Sequence, residues 1–356
     1  MGLGCSKPQV SESRSEENQR IEEELKSVKR RTSAPHIQHY AKVQRLGEGS
    51  YAKVILVRDT QDGELYAAKV YTKERLKKKR THEKYTAWDD VVRELSILRR
   101  IRHPHVVRLI EVLDDPKEKN LYAIMEYVSG GAVIAGCGMG LPECLCRLYL
   151  RDAVCGLQFL HACGVIHMDV KPENLMLTED GRVKVGDLGL GKVVFNGETI
   201  DDQCSVSYGT PYFAPPEACS GKGKYSGTAA DTWALGVTAF VLMLGRFPFD
   251  GDTACEVYEH ISEMPVHIPD GMSSHAHNFL RRTMDKNPST RLTLPEAMDH
   301  PFLTHNNSLP PLRPVQLSKE ELCALWEMDE QVQAVSSTVG VGAKLIAAMS
   351  NFPNAP

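Results

Sequence analysis

The chain has no Cys-x-x-Cys pair, no long hydrophobic run and no dominant sign of charge. Its ten cysteines are scattered, with Cys144-x-Cys146 the tightest spacing, so neither a zinc module nor a disulfide framework is signalled. That usage fits a reducing, intracellular setting. The longest apolar stretch, Gly236 to Gly245, is about half of what a bilayer-spanning helix needs, and no membrane span is expected. A net charge of −4, from 42 basic and 46 acidic residues, argues against a dedicated nucleic-acid binder but permits a local basic patch. With 42% apolar and 25% charged residues, wholesale disorder, a collagen-like chain and a disulfide-stapled miniprotein are excluded. What remains is 356 residues of globular character, enough for about two compact units or one enzyme built from two lobes. No internal repeat of fixed period is present.

Residues 1–38 are polar, with Glu22-Glu23-Glu24, Lys29-Arg30-Arg31 and Pro35, and read as a flexible tail with room for a short helix. From Tyr40 the texture changes to strand-like runs, Val54 to Val57 and Leu65 to Tyr71, separated by the hairpin signal Asp62-Gly63. The basic stretch Lys73 to Arg80 could meet anionic lipid or an acidic substrate surface; a solvated connection is the plainer reading. Val91, Leu95, Leu98 and Ile101 recur at helical spacing and predict an amphipathic helix over Trp88 to Arg102. Beyond Pro142 the periodicity is mostly helical, interrupted by strand-like Leu175 to Leu177 and Val183 to Val185. A strand-rich front and a helix-rich back predict an α+β fold.

Gly47-Glu48-Gly49-Ser50-Tyr51-Ala52-Lys53-Val54 lies between two strand-like runs. Its glycines let a backbone approach a phosphate closely, though Ala52 replaces the third glycine of the usual pattern and an ordinary hairpin fits as well. Lys69, twenty residues after Gly49, and Glu94 on the helix beyond could be a phosphate-holding lysine and its orienting carboxylate, or a surface ion pair. The decisive stretch is His167-Met168-Asp169-Val170-Lys171-Pro172-Glu173-Asn174, followed by Asp187-Leu188-Gly189. Phosphoryl transfer needs a carboxylate for the nucleophile's proton, a cation over the transferred group and oxygen ligands for magnesium. Asp169, Lys171, and the pair Asn174 and Asp187 supply these in order.

Across residues 40–303 the chain resembles a eukaryotic protein kinase. Further matches are Gly209 to Glu217, which is similar to the segment ending in Ala-Pro-Glu, Asp231-Thr-Trp233, and Arg291. The resemblance implies a two-lobed fold: a small strand-rich lobe, residues 40–128, with one helix, and a larger helical lobe, residues 129–303. It implies that ATP lies against Leu46, Gly47, Glu48, Gly49, Ser50, Val54, Ala67, Lys69, Glu94, Met125, Glu126, Val128, Glu173 and Leu177. Asp169 and Lys171 would be catalytic, Asn174 and Asp187 would hold Mg²⁺, and Glu217, Asp231 and Arg291 would be structural. Lys171 and Thr210 resemble the serine/threonine branch. Leu109 to Pro116, Met125 to Val128, Tyr149 to Val154, Asp201 to Gln203 and Tyr225 to Trp233 resemble the calcium/calmodulin-dependent protein kinase kinases. They are still more similar to the plant kinases that activate sucrose-nonfermenting-related kinases. The implied substrate is therefore a protein, namely another kinase, with a calmodulin-regulated kinase kinase and a pseudokinase scaffold as the alternatives.

The departures carry information too. Met168 replaces the arginine that usually pairs with a phosphorylated activation loop, so a phosphate on Ser205 or Ser207 should have only a modest effect. Leu188 replaces phenylalanine in Asp-Phe-Gly, an apolar role that leucine can fill, and Pro215 replaces the alanine of Ala-Pro-Glu. At the N-terminus, Met1-Gly2 with Ser6 fits the myristoylation pattern, and Cys5 is either a palmitoylation site or an ordinary thiol. The expected location is cytoplasmic, with anchoring to the cytosolic face of a membrane if these acylations occur. Residues 304–356 read as a linker followed by a helical pattern with Leu322, Leu325, Trp326 and Val332. From 317 onward two lysines stand against five acidic residues, a net charge of −3 that disfavours calmodulin binding and leaves packing on the large lobe as the plainer role.

Overall fold

The structure, a computed structural model, describes residues 36–49, 51–81, 85–133, 140–205, 209–219 and 223–326. The expectations for Gly2, Cys5, Ser50, Ser207 and the chain beyond Trp326 lie outside the described residues. The front of the molecule is a six-stranded antiparallel sheet in the order β1-β2-β3-β4-β6-β5. Its strands are β1 (His36–Ile37), β2 (Tyr40–Glu48), β3 (Ala52–Asp59), β4 (Leu65–Thr72), β5 (Leu109–Leu113) and β6 (Asn120–Glu126). The Asp62-Gly63 signal is the β3–β4 turn: the Asp62 carboxylate accepts from Glu64 N at 2.7 Å, and Gly63 takes a left-handed φ of 81° that favours glycine. Side chains alternate between the faces, so Leu121, Ala123 and Met125 join the main core while Ile124 joins Tyr40, Ile55, Val57, Ala68 and Leu113 on the other side.

Two helices follow β4: α1 (Lys73–Lys78) and α2 (Ala87–Arg100). The basic stretch is thus not simply a connection. Leu76, 1% exposed, anchors it as a short helix, with Lys73 paired to Asp114 at 2.5 Å and the other charges outward. Helix α2 begins where Thr86 N donates to Asp89 Oδ2 at 2.7 Å, and it buries Val91, Leu95 and Leu98 on one face together with Glu94.

The larger lobe is built on α3 (Glu143–Ala162) and α5 (Gly227–Leu244), with α4 (Pro216–Cys219), α6 (Ala254–Glu263), α7 (Ser274–Thr283), α8 (Leu294–Met298) and α9 (Pro301–Thr304) around them. Helix α5 is apolar and long enough to cross a bilayer on composition alone, but 78% of it is buried within this lobe, which makes it the core helix. Ser226 caps its start by accepting from Ala229 N, and Gly245 at φ 68° ends it. Short strands carry the loops between: β7 (Val165–Ile166), β8 (Leu175–Leu177), β9 (Val183–Val185), β10 (Lys192–Val193), β11 (Gln203–Cys204) and β12 (Tyr225–Ser226). The lobes meet where α3 passes the loop before β5. A Cβ on Gly156 would stand 2.4 Å from His105 O, so only glycine allows this approach. The expected α+β, two-lobed arrangement is what the chain adopts.

Candidate active site

Between the lobes lies a cleft of about 420 Å³ walled by Gly49, Tyr51, Ala52, Val54, Lys69, Tyr71, Glu94, Asp169, Lys171, Asp187, Gly189, Leu190, Gly209 and Thr210. Strand register brings its roof together, since Gly47 pairs with Val54, Val54 with Lys69 and Lys69 with Ala123. Nothing in the protein demands a glycine at Gly47, where a Cβ meets nothing within 4 Å, or at Gly49, where it meets only Ala52 O at 3.8 Å. The open space beneath the β2–β3 turn is therefore free for a bound phosphate chain.

Lys69 Nζ donates to Glu94 Oε1 at 2.6 Å and to Asp187 Oδ1 at 2.9 Å. The Glu94 side chain is 5% exposed, so this is no surface ion pair. Burial alone would lower the Lys69 ammonium, but Glu94, with help from Asp187, overrides it and holds the lysine well above its ordinary range. The Lys69 charge in turn keeps the Asp187 carboxyl below its ordinary value. Tyr71 OH donates to the other Glu94 oxygen at 3.2 Å. Sequence reasoning missed Tyr71, and its signal is the two-residue period that puts it on the same strand face as Lys69.

The floor is organised by Asp231, which is fully buried. Its carboxylate accepts from the backbone N–H groups of His167 (2.8 Å) and Met168 (2.9 Å) and meets His161 Nε2 at 2.8 Å. Burial alone would raise its pKa, but the hydrogen bond and charge of His161, followed by His167, outweigh that and hold it below the ordinary value. The His167 ring reaches Gly186 O at 3.0 Å, tying this loop to the residue before Asp187. Met168 has a left-handed φ of 66° and Asp187 one of 55°, strained conformations that the surrounding bonds enforce. The Met168 side chain is 2% exposed and part of the core, so it offers nothing to a phosphate. Leu188, 1% exposed, is likewise core.

On this floor Asp169 is held on both oxygens. Thr210 Oγ1 donates to Oδ1 at 2.9 Å, while Oδ2 accepts from Lys171 at 2.7 Å and from Asn174 Nδ2 at 3.1 Å. Lys171 Nζ also donates to Thr210 Oγ1 at 3.1 Å, closing a triangle. Thr210, expected in the substrate-facing segment, thus touches both expected catalytic side chains. Gly209 is similarly committed, because a Cβ there would lie 2.8 Å from Asp169 Oδ1. The Asn174 amide nitrogen is used by Asp169 O (2.7 Å) and Oδ2, which leaves the amide oxygen with its lone pairs for a ligand, and Asn174 O accepts from Gly186 N at 2.8 Å, next in the chain to Asp187. One amide and one carboxylate suit a hard divalent ion completed by phosphate oxygens and water, and among the described residues no cluster of three His, Cys, Asp or Glu side chains forms a self-sufficient metal site.

The remaining expected nucleotide contacts are divided. Ala67 and Met125 are cross-strand partners, and Leu177 N donates to Gly131 O at 2.7 Å, bringing β8 beneath the segment that starts at Val128. Of the expected apolar set, only Val54 borders the cleft, with Leu46 exposed nearby on β2. The Glu126 carboxylate is taken up by Lys184 (2.7 and 2.9 Å) and Arg108 N (2.7 Å), so only its main chain can serve a nucleotide. Glu48 pairs with Arg45 on the surface, and Glu173 is exposed on a short turn, Pro172–Asn174. Ser205 is exposed just after β11. Below the cleft, Arg291 meets Glu217 through two bonds of 2.7 and 2.9 Å, with the Arg291 side chain fully buried.

A protein kinase domain model matches residues 40–303. Serine/threonine-protein kinase GRIK2 of Arabidopsis thaliana is 44% identical over 270 residues, covering 75% of this chain and 66% of its own length. The GRIK1 kinase of the same plant is 42% identical over 270 residues, with 75% and 67% covered. The calcium/calmodulin-dependent protein kinase kinase of Caenorhabditis elegans is 33% identical over 330 residues, covering 86% of this chain and 60% of its own length. The chain thus spans about two thirds or less of the length of these relatives.

Proposed function

We propose a place in a signalling cascade for this chain, which belongs to the protein kinase family: it phosphorylates the activation loop of another kinase, one of the sucrose-nonfermenting-related or AMP-activated type. Its activity is ATP-dependent phosphorylation of serine or threonine in proteins. The upstream role rests on the segments that resemble kinase kinases, among them Met125 to Val128 and Tyr225 to Trp233. The test is an inactive sucrose-nonfermenting-related kinase offered with its activation-loop threonine intact or replaced. Phosphate uptake that requires the threonine is expected; equal labelling of both forms would remove the upstream role.

The observation that carries the chemistry is the two-sided grip on Asp169 beneath the Lys69–Glu94 pair. Asp169 orients the substrate hydroxyl and receives its proton, and Lys171 offsets charge on the group in transfer. Lys69 holds the α- and β-phosphates, while Glu94 keeps it extended toward them. Asn174 and Asp187 would hold Mg²⁺, which supplies charge neutralisation at the phosphates when bound. Asp169→Ala should abolish autophosphorylation, whereas equal incorporation by both proteins would favour a pseudokinase scaffold. Calmodulin control is the second reading, raised by the nematode relative's name, and the acidic balance after residue 317 weighs against it. Activity should not change on adding calcium and calmodulin. The N-terminal pattern adds a cytosolic location with membrane anchoring through acylation at Gly2 and Cys5, which Gly2→Ala should release from the membrane fraction.

A further inference from the structure

The last described helix, α10 (Lys319–Trp326), has no part in the chemistry above. Its approach is laid out along α3. Arg151 donates to Leu303 O at 2.7 Å and to Pro310 O at 2.6 Å, and two turns later Gln158 exchanges bonds of 2.7 and 2.8 Å with Val315. Ser318 and Glu321 then cap each other reciprocally, Ser318 N to Glu321 Oε2 at 2.8 Å and Glu321 N to Ser318 Oγ at 3.2 Å. This seats Leu322, 7% exposed, with Leu325 and Trp326 packed against the main core.

From that position α10 touches three elements at once. Trp326 Nε1 donates to Cys163 O, the carbonyl that ends α3, at 2.9 Å. The guanidinium of Arg100, the last residue of α2, lies 5.5 Å from the Trp326 ring centroid. Cys323 Sγ donates to Gly197 O, in the segment between Asp187 and Glu217, at 3.5 Å. The end of the Glu94-bearing helix, the helix leading into the Asp169 loop and the activation segment are thus tied to one short helix.

We propose that α10 is a brace that fixes α2 in the position where Glu94 meets Lys69, with Trp326 as its positioning residue. Glu94 and Arg100 share α2, so an outward swing or rotation of that helix moves Glu94 off the lysine. Clamping the Arg100 end to α3 through one indole ring restricts both motions. No α10 residue borders the cleft, and the 2.6 Å Lys69–Glu94 contact exists with α10 docked, so the segment supports the site without occluding it. This rests on the kinase activity alone and not on which protein is the substrate.

The test uses the full chain and a generic serine/threonine peptide, with Trp326→Ala, Trp326→Phe and Arg100→Gln as variants. Trp326→Ala should raise the KM for ATP roughly five- to tenfold with a smaller change in kcat, the size of one cation–π contact plus one hydrogen bond. It should also speed amide hydrogen exchange across residues 87–100. Trp326→Phe, which keeps the ring but not the N–H, should fall between it and wild type, as should Arg100→Gln, which keeps the N–H bond; these two carry the test should the alanine variant fold poorly. Unchanged KM and exchange would overturn the proposal. Higher activity would overturn it too by marking an inhibitory segment, as would a uniform loss of activity with α2 exchange unaltered.

Discussion

Thr210 shows how much a single hydroxyl can decide. It donates to Asp169 and accepts from Lys171, so it fixes the direction of the carboxylate that must meet a substrate hydroxyl. Without it, Asp169 Oδ1 loses its fixed donor, while the Lys69–Glu94 pair on the other wall is untouched. Thr210→Ala should therefore lower kcat about 10- to 100-fold with the KM for ATP little changed, part of the roughly 10²- to 10⁴-fold that a positioned proton acceptor contributes. Thr210→Ser, which restores the hydroxyl, should stay within about threefold of wild type. Steady-state kinetics with ATP and peptide varied separately will read both. A role of Thr210 in peptide binding alone would instead show as a higher peptide KM at full kcat. At Gly209 the constraint is steric: Gly209→Ala pushes a methyl group against Asp169 Oδ1 and the Leu190 side chain, so it should resemble Thr210→Ala in kcat.

At the scale of elements, the close pass of α3 under the loop before β5 is the joint between the lobes. Gly156→Ala sets a Cβ 2.4 Å from a backbone carbonyl, which cannot rotate away as a side chain would. The cost should be about 1–3 kcal/mol of stability, measured as a lower urea midpoint at unchanged m-value. In the larger lobe, Glu217→Ala, which strands a fully buried guanidinium at Arg291, should cost about 3–5 kcal/mol. Elements with a strong local period were legible: α2 falls within two residues of its expected bounds, and β8 and β9 form over the residues read as strand-like. Helix α1 was not legible, because its six residues are five charged ones and Leu76, a single apolar signal with no period. The site divided along similar lines. Asp169, Lys171, Asn174 and Asp187 stand in two short stretches of sequence and could be read together. Tyr71, Thr210 and Trp326 act through contacts across 23, 41 and 163 residues of chain; a strand period, a short motif and a helical pattern place the residues themselves, but nothing local names their distant partners.

For the whole molecule, the response to acid follows from which buried groups resist charge. Burial, then the neighbours His105 and Lys184, pushes the His103 imidazole down to about 4; burial, then Arg282 and His275, does the same to His300. His103 stacks on Phe159 of α3 at 4.6 Å, and His300 caps α9 through Phe302 N while meeting Asn278 at 2.9 Å. Both must be neutral in the folded chain, whereas the unfolded chain takes up their protons near the ordinary value of 6.5. Their contribution is therefore complete above about pH 6.5 and is lost as the pH falls toward 4. The carboxylates act lower down. Asp187 and Asp231 are held below their ordinary value of 3.8, so the stability they add is lost only as acid carries the pH beneath that value. Acid unfolding should accordingly proceed in two stages, histidines first. The melting temperature should be flat above about pH 6.5 and decline toward pH 4, with each histidine worth up to about 2 kcal/mol after allowance for partial exposure. His103→Phe keeps a ring for the Phe159 stack and removes the titration. Its melting temperature should start lower at neutral pH, because the His105 N–H loses its acceptor at 3.2 Å, and should then fall less steeply between pH 6.5 and 4 than wild type. An unchanged slope would place the acid sensitivity on other groups.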